Sequence, residues 1–186
     1  MSVTVFITLL WPLVSLFSVE LPVVHAASVA ENERRLLETK KCIKCDLRGA
    51  SLAFMHLVAV DLRGADLRGA DLSGTNLKNA KLVGARLIRT VIEGANMQAA
   101  DLSGADLHGA DVQDADMRGV KLREANLIRT DFRGADLRAA DLRGAQMERT
   151  DLREANVIYT DLRGAKGLSE LQKMDLRRRG ALVELK

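Results

Sequence analysis

The sequence has too few aromatic residues to build an ordinary globular core. Only 3% of its 186 residues are aromatic, with one Trp, one Tyr and four Phe. Leu and Ala must fill the interior instead, which suits a thin, repetitive core better than a compact one. The sequence also lacks a phosphate-binding loop and a Ser, His and Asp grouping typical of hydrolases. We therefore expect no enzyme activity, no cofactor and no metal.

The middle of the chain has no excess of either charge. The net charge is +3, yet 18 acidic and 18 basic residues lie between Asp46 and Lys166. The basic excess lies at the two ends, at Lys40, Lys41 and Lys44 and at Arg177, Arg178 and Arg179. A continuous phosphate-binding stripe is therefore not expected, and neither is an acidic wall that imitates DNA. We predict no nucleic-acid partner.

What the sequence does contain is a period of five. From Leu47 to Leu162 every fifth residue is apolar, and a small residue, usually Ala, stands two positions before most of these centres. A period of five fits neither an α-helix nor a flat strand, so it predicts a solenoid. The predicted core centres include Leu47, Leu67, Leu87, Leu107, Leu127 and Met147.

The repeat is plainest in residues 65–74, which read ADLRG and ADLSG. This resembles the A(D/N)LXX motif of the pentapeptide-repeat proteins, over about two thirds of the chain. The resemblance implies an all-β solenoid, a right-handed quadrilateral β-helix with four pentapeptides per coil. The 24 units then make about six coils, within a repeat domain of residues 42–166. The centres and the small residues point inward, and the polar residue between them points outward.

The corner positions predict two kinds of turn. Gly stands two residues after the centre in 12 of the 24 units, and it dominates the fourth side, as at Gly64 and Gly84. On the third side the same position holds mostly other residues, such as Ala59 and Asn79. A type II turn needs a positive φ at its third residue. We therefore predict type II turns on the fourth side and a different turn on the third.

Threonine replaces the small inward residue after three arginine corners, at Thr90, Thr130 and Thr150. A threonine hydroxyl at such a position is able to satisfy a backbone group. We expect these hydroxyls to do so.

A helix is predicted before the repeat. Ser28 is followed three residues later by Glu31, which is a capping-box pattern. It predicts a short helix from Val29 to about Thr39, within an N-terminal capping segment of residues 27–41.

A second helix is predicted after the repeat, within residues 167–186. Ser169 is a candidate N-cap for a helix that runs to about Arg179 and is closed by Gly180. Three apolar residues are expected to cover the last coil, because an open solenoid end exposes core and unpaired strand edges: Leu168, Leu171 and Met174.

The first 26 residues have the composition of a signal peptide. Residues 1–19 are apolar and nearly uncharged, and small residues follow up to Ala26. A retained membrane anchor is the alternative, but Pro12 and Glu20 leave the apolar stretch short for a span of about 20 residues. We predict cleavage after Ala26, export, and no stable membrane span after processing.

Cys42 and Cys45 form the one candidate reactive group, and three interpretations are open. They are a structural disulfide, a redox switch, or part of a zinc site, although zinc needs two further ligands and His56 and His108 lie several coils apart. Both cysteines are in register with the repeat, since Cys42 lies five residues before Leu47. The sequence CxxCDL also resembles exported cyanobacterial pentapeptide-repeat proteins. That resemblance implies a disulfide and a periplasmic or thylakoid-lumen location.

A few apolar residues fall at outward positions and mark a possible interaction surface: Ile88, Val91, Ile128, Ile158 and Tyr159. A further group in the first coil is expected to pack under the N-terminal helix: Phe54, Met55, His56, Val58 and Val60. The resulting hypothesis is a non-catalytic exported structural or protein-interaction module with an unknown protein partner. The alternatives are a DNA-mimicking regulator of a type II topoisomerase, which the family resemblance allows, and a redox-responsive partner acting through Cys42 and Cys45.

Overall fold

The repeat region lies between two helices. The structure is a computed structural model that describes residues 20–184, so the predicted signal peptide falls mostly outside the described residues. Helix α1 spans Glu20–Thr39 and helix α2 spans Glu170–Arg178. Between them, the described residues form isolated parallel bridges and no longer strand.

The bridges define the coil. From the Lys41–Asp61 pair to the Gln146–Lys166 pair, each joins two residues twenty positions apart, in parallel. Twenty residues therefore make one turn, with four sides of five residues. Each side is only a few extended residues long between two corners, which is why single bridges replace long strands. We name the sides face 1 to face 4 after the centres with which they begin, Leu47, Leu52, Leu57 and Leu62.

Successive coils are joined by backbone hydrogen bonds, and the centres fill the interior. Leu47 N donates to Asp66 O at 2.8 Å, and Asp66 N donates to Cys45 O at 2.8 Å. The six centres of face 1 named from the sequence are completely buried. The resulting core is a column of aliphatic side chains with small residues beside them, and it runs the full length of the repeat.

The corners do not divide into two kinds of turn, so that prediction is wrong. The residue two after the centre has a positive φ at all four faces, for example +56° at Ala59 on face 3 and +65° at Gly64 on face 4. Both corners also close with the same bond, Val60 N to Leu57 O and Ala65 N to Leu62 O. Closing a square every five residues demands a left-handed residue at each corner, and the non-glycine corners adopt it despite its local cost.

The threonine prediction is confirmed. The hydroxyls of Thr90, Thr130 and Thr150 donate to carbonyls of the preceding coil at 2.7–2.8 Å. Each buried hydroxyl thus has a hydrogen-bond partner inside the core.

Helix α1 begins earlier than predicted, at Glu20 rather than Val29, so Ser28 lies inside the helix and does not cap it. Pro22 is compatible with the first turn of a helix, because the amides there have no intrahelical partner. The predicted cleavage site after Ala26 falls within α1. The remaining residues 27–39 include Leu36, which is completely buried against the repeat.

Side chains of the N-terminal segment occupy the lower edge of the first coil. Asn32 Nδ2 donates to Asp46 O at 2.9 Å, and Glu33 Oε1 accepts from Ser51 N at 3.2 Å. Lys40 Nζ donates to His56 O at 2.8 Å. The ladder would otherwise pair these backbone groups with a preceding coil. Three side chains therefore take the place of that coil on faces 1, 2 and 3.

Helix α2 is capped as predicted but covers the last coil with a different residue. Ser169 is the N-cap of a complete capping box with Gln172, and Gly180 follows with φ +93°. Leu176 is buried, while Leu171 and Met174 are exposed, so their predicted covering role is wrong. Leu176 lies about 200° around the helix from Met174, and burying one turns the other to solvent. Leu168 is partly buried against the core, as expected.

Candidate interaction surfaces

The outer walls carry a regular ladder of charged pairs. Where Asp precedes a centre and Arg follows it, the two side chains pair: Arg118 Nε lies 2.8 Å from Asp116 Oδ1, and Arg118 Nη2 lies 2.7 Å from Asp116 Oδ2. Several of these arginines also reach up to the Asp of the next coil, as Arg118 does to Asp136 at 3.8 Å. The spacing of two residues puts both side chains on the same outward face of one extended segment.

The arginines keep the carboxylates ionised. Hydrogen bonds from the Arg118 side chain, helped by Gln98 and opposed by partial burial, lower the pKa of Asp116 to about 2. The same cause, from Arg143 first and then Arg123, holds the pKa of Asp141 well below its usual range. Asp116 and Asp141 therefore stay charged at neutral pH, at little cost because their pairs with arginine remain in contact with solvent.

The charges are balanced in total but not face by face. Face 2 carries seven acidic residues and only two basic ones: Asp71, Glu93, Asp111, Asp114, Asp131, Asp151 and Glu154, against Arg133 and Arg153. Face 1 carries more basic than acidic residues: Arg48, Arg68, Arg86, Arg89, Arg129 and Arg149, against Asp46, Asp66, Asp106 and Glu148. The expectation of a wall without an acidic side is therefore wrong. Summing charge along the chain hides a segregation that appears only once the coil is wound.

Cys42 and Cys45 lie at the junction of α1 and the first coil. Their sulfur atoms are 2.08 Å apart, which is the separation of a disulfide, and both side chains are buried. Their backbones belong to the ladder, since Cys42 N donates to Asp61 O and Cys45 O accepts from Asp66 N. The pair thus joins the end of the capping segment to two neighbouring faces. Within the described residues, no group of three or more His, Cys, Asp or Glu side chains is arranged to hold a metal ion.

The predicted apolar surface residues fall in two separate places. Ile88 and Ile128 are half-buried on face 1, with His108 between them, and Val91 is half-buried on face 2. Ile158 and Tyr159 are exposed at the C-terminal end of face 3, where Tyr159 N donates to Gly180 O. The structure does not bring the five into one patch.

The first-coil group only partly packs as expected. Val60 is buried and Met55 is half-buried, but Phe54, His56 and Val58 are exposed. Phe54 stands at a corner and lies over the corner of the next coil, where a Cβ on Gly74 would come within 2.6 Å of its ring. A bulky corner residue followed twenty positions later by Gly is the sequence signal that could have predicted this packing.

A groove beside the last coil has no counterpart in the sequence predictions. It has a volume of about 540 Å³ and lies between α2 and face 2 of the last coil. We call it the edge groove, and its lining includes Leu152, Arg153, Leu168, Leu171, Leu176 and Arg179. The groove exists because the chain leaves the ladder after Lys166 and returns as a helix, which the repeat pattern does not encode.

Comparison with known sequences identifies the family. The profile of the pentapeptide repeats matches residues 45–82, 70–109, 80–119, 100–138 and 130–166, with eight copies. These segments together span 45–166, well over half of the chain. The chain therefore belongs to the pentapeptide-repeat family, whose members are non-catalytic β-helix solenoids in general.

Solved structures of the same family resemble this chain. The pentapeptide repeat protein Rfr23 from the cyanobacterium Cyanothece 51142 is 23% identical and covers 83% of this chain and 95% of its own, with a TM-score of 0.44. A pentapeptide repeat protein from the Arabidopsis thaliana thylakoid lumen is 30% identical and covers 65% of this chain and 80% of its own, with a TM-score of 0.40. QnrB1, a plasmid-mediated fluoroquinolone resistance protein, is 20% identical and covers 78% and 82%, with a TM-score of 0.41. These three TM-scores are below 0.5, so the family assignment rests on the sequence profile.

Two further searches, one for curated relatives and one for membrane-spanning helices among the described residues, found nothing. No curated protein matches the sequence significantly. In the described part of the chain, neither helix has both the length and the apolar composition needed to cross a bilayer.

Proposed function

We propose that this chain is an exported, non-catalytic module that recognises a protein partner through its outer walls. It is a right-handed β-helix of about six coils, closed at its ends by α1 and α2. One observation carries the proposal: among the side chains of residues 29–184, the buried polar ones are five threonines, each bonded to a core carbonyl, namely Thr75, Thr90, Thr130, Thr150 and Thr160. Inward polar groups thus serve the fold, and the charged side chains available for recognition stand on the walls.

Export is supported by the signal-peptide composition of the first 26 residues and by two cysteines at disulfide distance, which suits an oxidising periplasm or thylakoid lumen. Cleavage after Ala26 would leave Asn32, Glu33 and Leu36 in place, so the first coil would keep its cap. Mass spectrometry of the mature protein should find Ala27 as the first residue. An intact Met1 on protein recovered from the cytosol would contradict export.

The predicted interaction surface is open to direct mutation. Ile158 and Tyr159 are its exposed members, and changing both to Ser should abolish capture of a partner from the native compartment. Val83, an exposed apolar residue on face 4, provides a matched control, since Val83→Ser should leave capture unchanged. Capture that is identical in wild type and in both variants would remove this surface from the proposal.

A regulator of a type II topoisomerase is the second candidate, and the acidic face 2 favours it. Carboxylates stacked on successive coils present negative charge along one wall, as a phosphate backbone does. A supercoiling assay with gyrase tests this. Inhibition that is lost in Glu93→Lys but kept in Glu148→Lys, which lies on face 1, would support the candidate. Full gyrase activity in the presence of excess protein would exclude it.

A further inference from the structure

Face 2 is the side on which both ladder amides lack a backbone partner at the C-terminal end of the described chain. Within the body, Phe132 N donates to Asp151 O at 2.9 Å and Gly134 N donates to Arg153 O at 3.3 Å. One coil later, the equivalent amides are those of Leu152 and Glu154. In the described chain neither of these two amides has a backbone partner.

Each of the other three sides of the last coil keeps one of its two ladder amides paired with the backbone. Met147 N donates to Lys166 O at 2.9 Å on face 1, Tyr159 N donates to Gly180 O on face 3, and Leu162 N donates to Leu182 O on face 4. The amides of Arg149, Val157 and Gly164 have no backbone partner in the described chain either, so face 2 differs from the other sides in having both of its ladder amides open. An edge with free amides is a template for an added strand.

The edge groove lies directly beside this open edge. Arg179 Nη2 donates to Leu152 O and to Ala155 O, which closes the corner between faces 2 and 3. The rest of face 2 stays uncovered by α2, and Leu171 lines the groove with 80% of its surface exposed. Leu152, at 9%, is the most exposed of the core centres. The groove thus offers an apolar floor and wall next to the free amides.

Charge specifies what the groove would accept. In the body, Arg133 Nε lies 3.9 Å from Asp151 Oδ2, eighteen residues further on, and Arg143 makes the same contact with Asp161 at 3.7 Å. The position eighteen residues after Arg153 is Leu171, which belongs to α2. The Arg153 side chain is 74% exposed, against 44% for Arg133. Among the described residues, Arg153 therefore lacks the second acidic partner that Arg133, its equivalent on face 2, has.

We propose that the edge groove binds an extended peptide segment of a partner protein, added to face 2 as a parallel strand with an acidic residue followed by a leucine-sized apolar residue. The ladder sets the register. The acidic residue donates its amide to Thr150 O and accepts from Leu152 N, and the carbonyl two residues later accepts from Glu154 N. The acidic side chain meets Arg153, and the apolar side chain lies over Leu152. This inference rests on the proposed function, because it gives the interaction module a docking site.

The test uses the full chain and the peptide Thr-Asp-Leu-Ser-Gly-Ala-amide with fluorescein attached to its N-terminus. We expect saturable binding by fluorescence anisotropy, with shifts of the Leu152 and Glu154 amide signals in NMR spectra. Arg153→Glu should weaken this peptide about tenfold, the effect of losing one charge-assisted hydrogen bond, and should favour a peptide with Lys in place of Asp. Arg153→Gln should remove the preference between the two peptides without reversing it.

Helix α2 supplies a matched pair of further variants. Leu171→Asp should weaken binding, since Leu171 lines the groove, whereas Met174→Asp should not, since Met174 is exposed on α2 away from the groove. Both positions are exposed, so both variants should keep the wild-type melting temperature.

The proposal is overturned if the wild-type protein shows no saturable binding at millimolar peptide, or if Arg153→Glu and Leu171→Asp bind as wild type does. A dimer that Leu171→Asp dissolves, without peptide binding, would also overturn it, because a second copy would then fill the groove. Partner capture that depends on Ile158 and Tyr159 while no peptide binds would leave the proposed function standing and reject only the groove.

Discussion

The two ends of the solenoid are closed in different ways. At the N-terminal end, side chains of the capping segment bond to the first coil on three faces, and the cysteine pair joins that segment to the ladder. At the C-terminal end, the backbone pairs one ladder amide on each of faces 1, 3 and 4, whereas both ladder amides of face 2 are free beside a groove. Both ends are covered by a buried leucine, Leu36 or Leu176, whereas the hydrogen bonds at the edge of the coil differ between them. An edge left partly open is then available for recognition.

The largest effect should come from removing the N-terminal plug. Leu36 is completely buried between α1 and the first coil, so Leu36→Ala should lower the free energy of unfolding by about 2–4 kcal/mol, measured by urea denaturation. Leu171→Ala, at the exposed position of the opposite end, should change it by less than about 0.5 kcal/mol. An equal loss in Leu171→Ala would contradict the structure, because it would mean that α2 is anchored through a residue that the structure leaves exposed.

The next effect concerns the turn that leads from the last coil into α2. Gly167 has φ +82°, and an added Cβ would lie 2.6 Å from Glu148 N, so Gly167→Ala should cost about 2 kcal/mol or more. Gly164 has φ +71° but nothing closer than 3.7 Å, and Gly164→Ala should cost about 1 kcal/mol. Thermal unfolding of both variants measures the difference. A Gly167 variant as stable as the Gly164 variant would mean that the C-terminal junction is loosely held.

Reducing the cysteine pair should have a smaller, local effect. The bridge would close a loop only a few residues long, so its loss should cost at most about 2 kcal/mol. Hydrogen exchange should become faster in the second half of α1 on addition of dithiothreitol and stay unchanged in α2. The Cys42→Ser and Cys45→Ala double variant should behave as the reduced protein does. Faster exchange throughout the solenoid would instead assign the pair a global role.

The smallest effect should come from protonating a single carboxylate on the walls between the two ends. Asp116 has a pKa of about 2 in the folded chain, below its ordinary value near 4, so its contribution is present above pH 4 and is lost as the pH falls through 2. The melting temperature should therefore drop between pH 4 and pH 2, and slightly less in Asp116→Asn. The same drop in both proteins would mean that Arg118 stabilises nothing at this site.

The features that recur in every repeat or depend on neighbouring residues were predicted from the sequence. The features that depend on how the chain winds into a closed coil were missed. The period of five placed the face 1 centres in the core because each unit meets the same surroundings, and Ser169 capped α2 because a capping box is local. The corner prediction failed because closing the square overrides the preference of Ala59 for a negative φ. Leu171 was misplaced because the rotation of α2 is set by Leu176 and the last coil. Neither the acidic face 2 nor the edge groove exists until the chain is wound.

Amide hydrogen exchange tests the central claim, that face 2 is open at one end of the solenoid. The amides of Leu152 and Glu154 should exchange at least about a hundredfold faster than those of Phe132 and Gly134, their equivalents one coil earlier, since a paired buried amide exchanges only through opening. Leu162, paired with Leu182 in the same last coil, should remain protected. Protection of Leu152 and Glu154 equal to that of Phe132 and Gly134 would contradict the account.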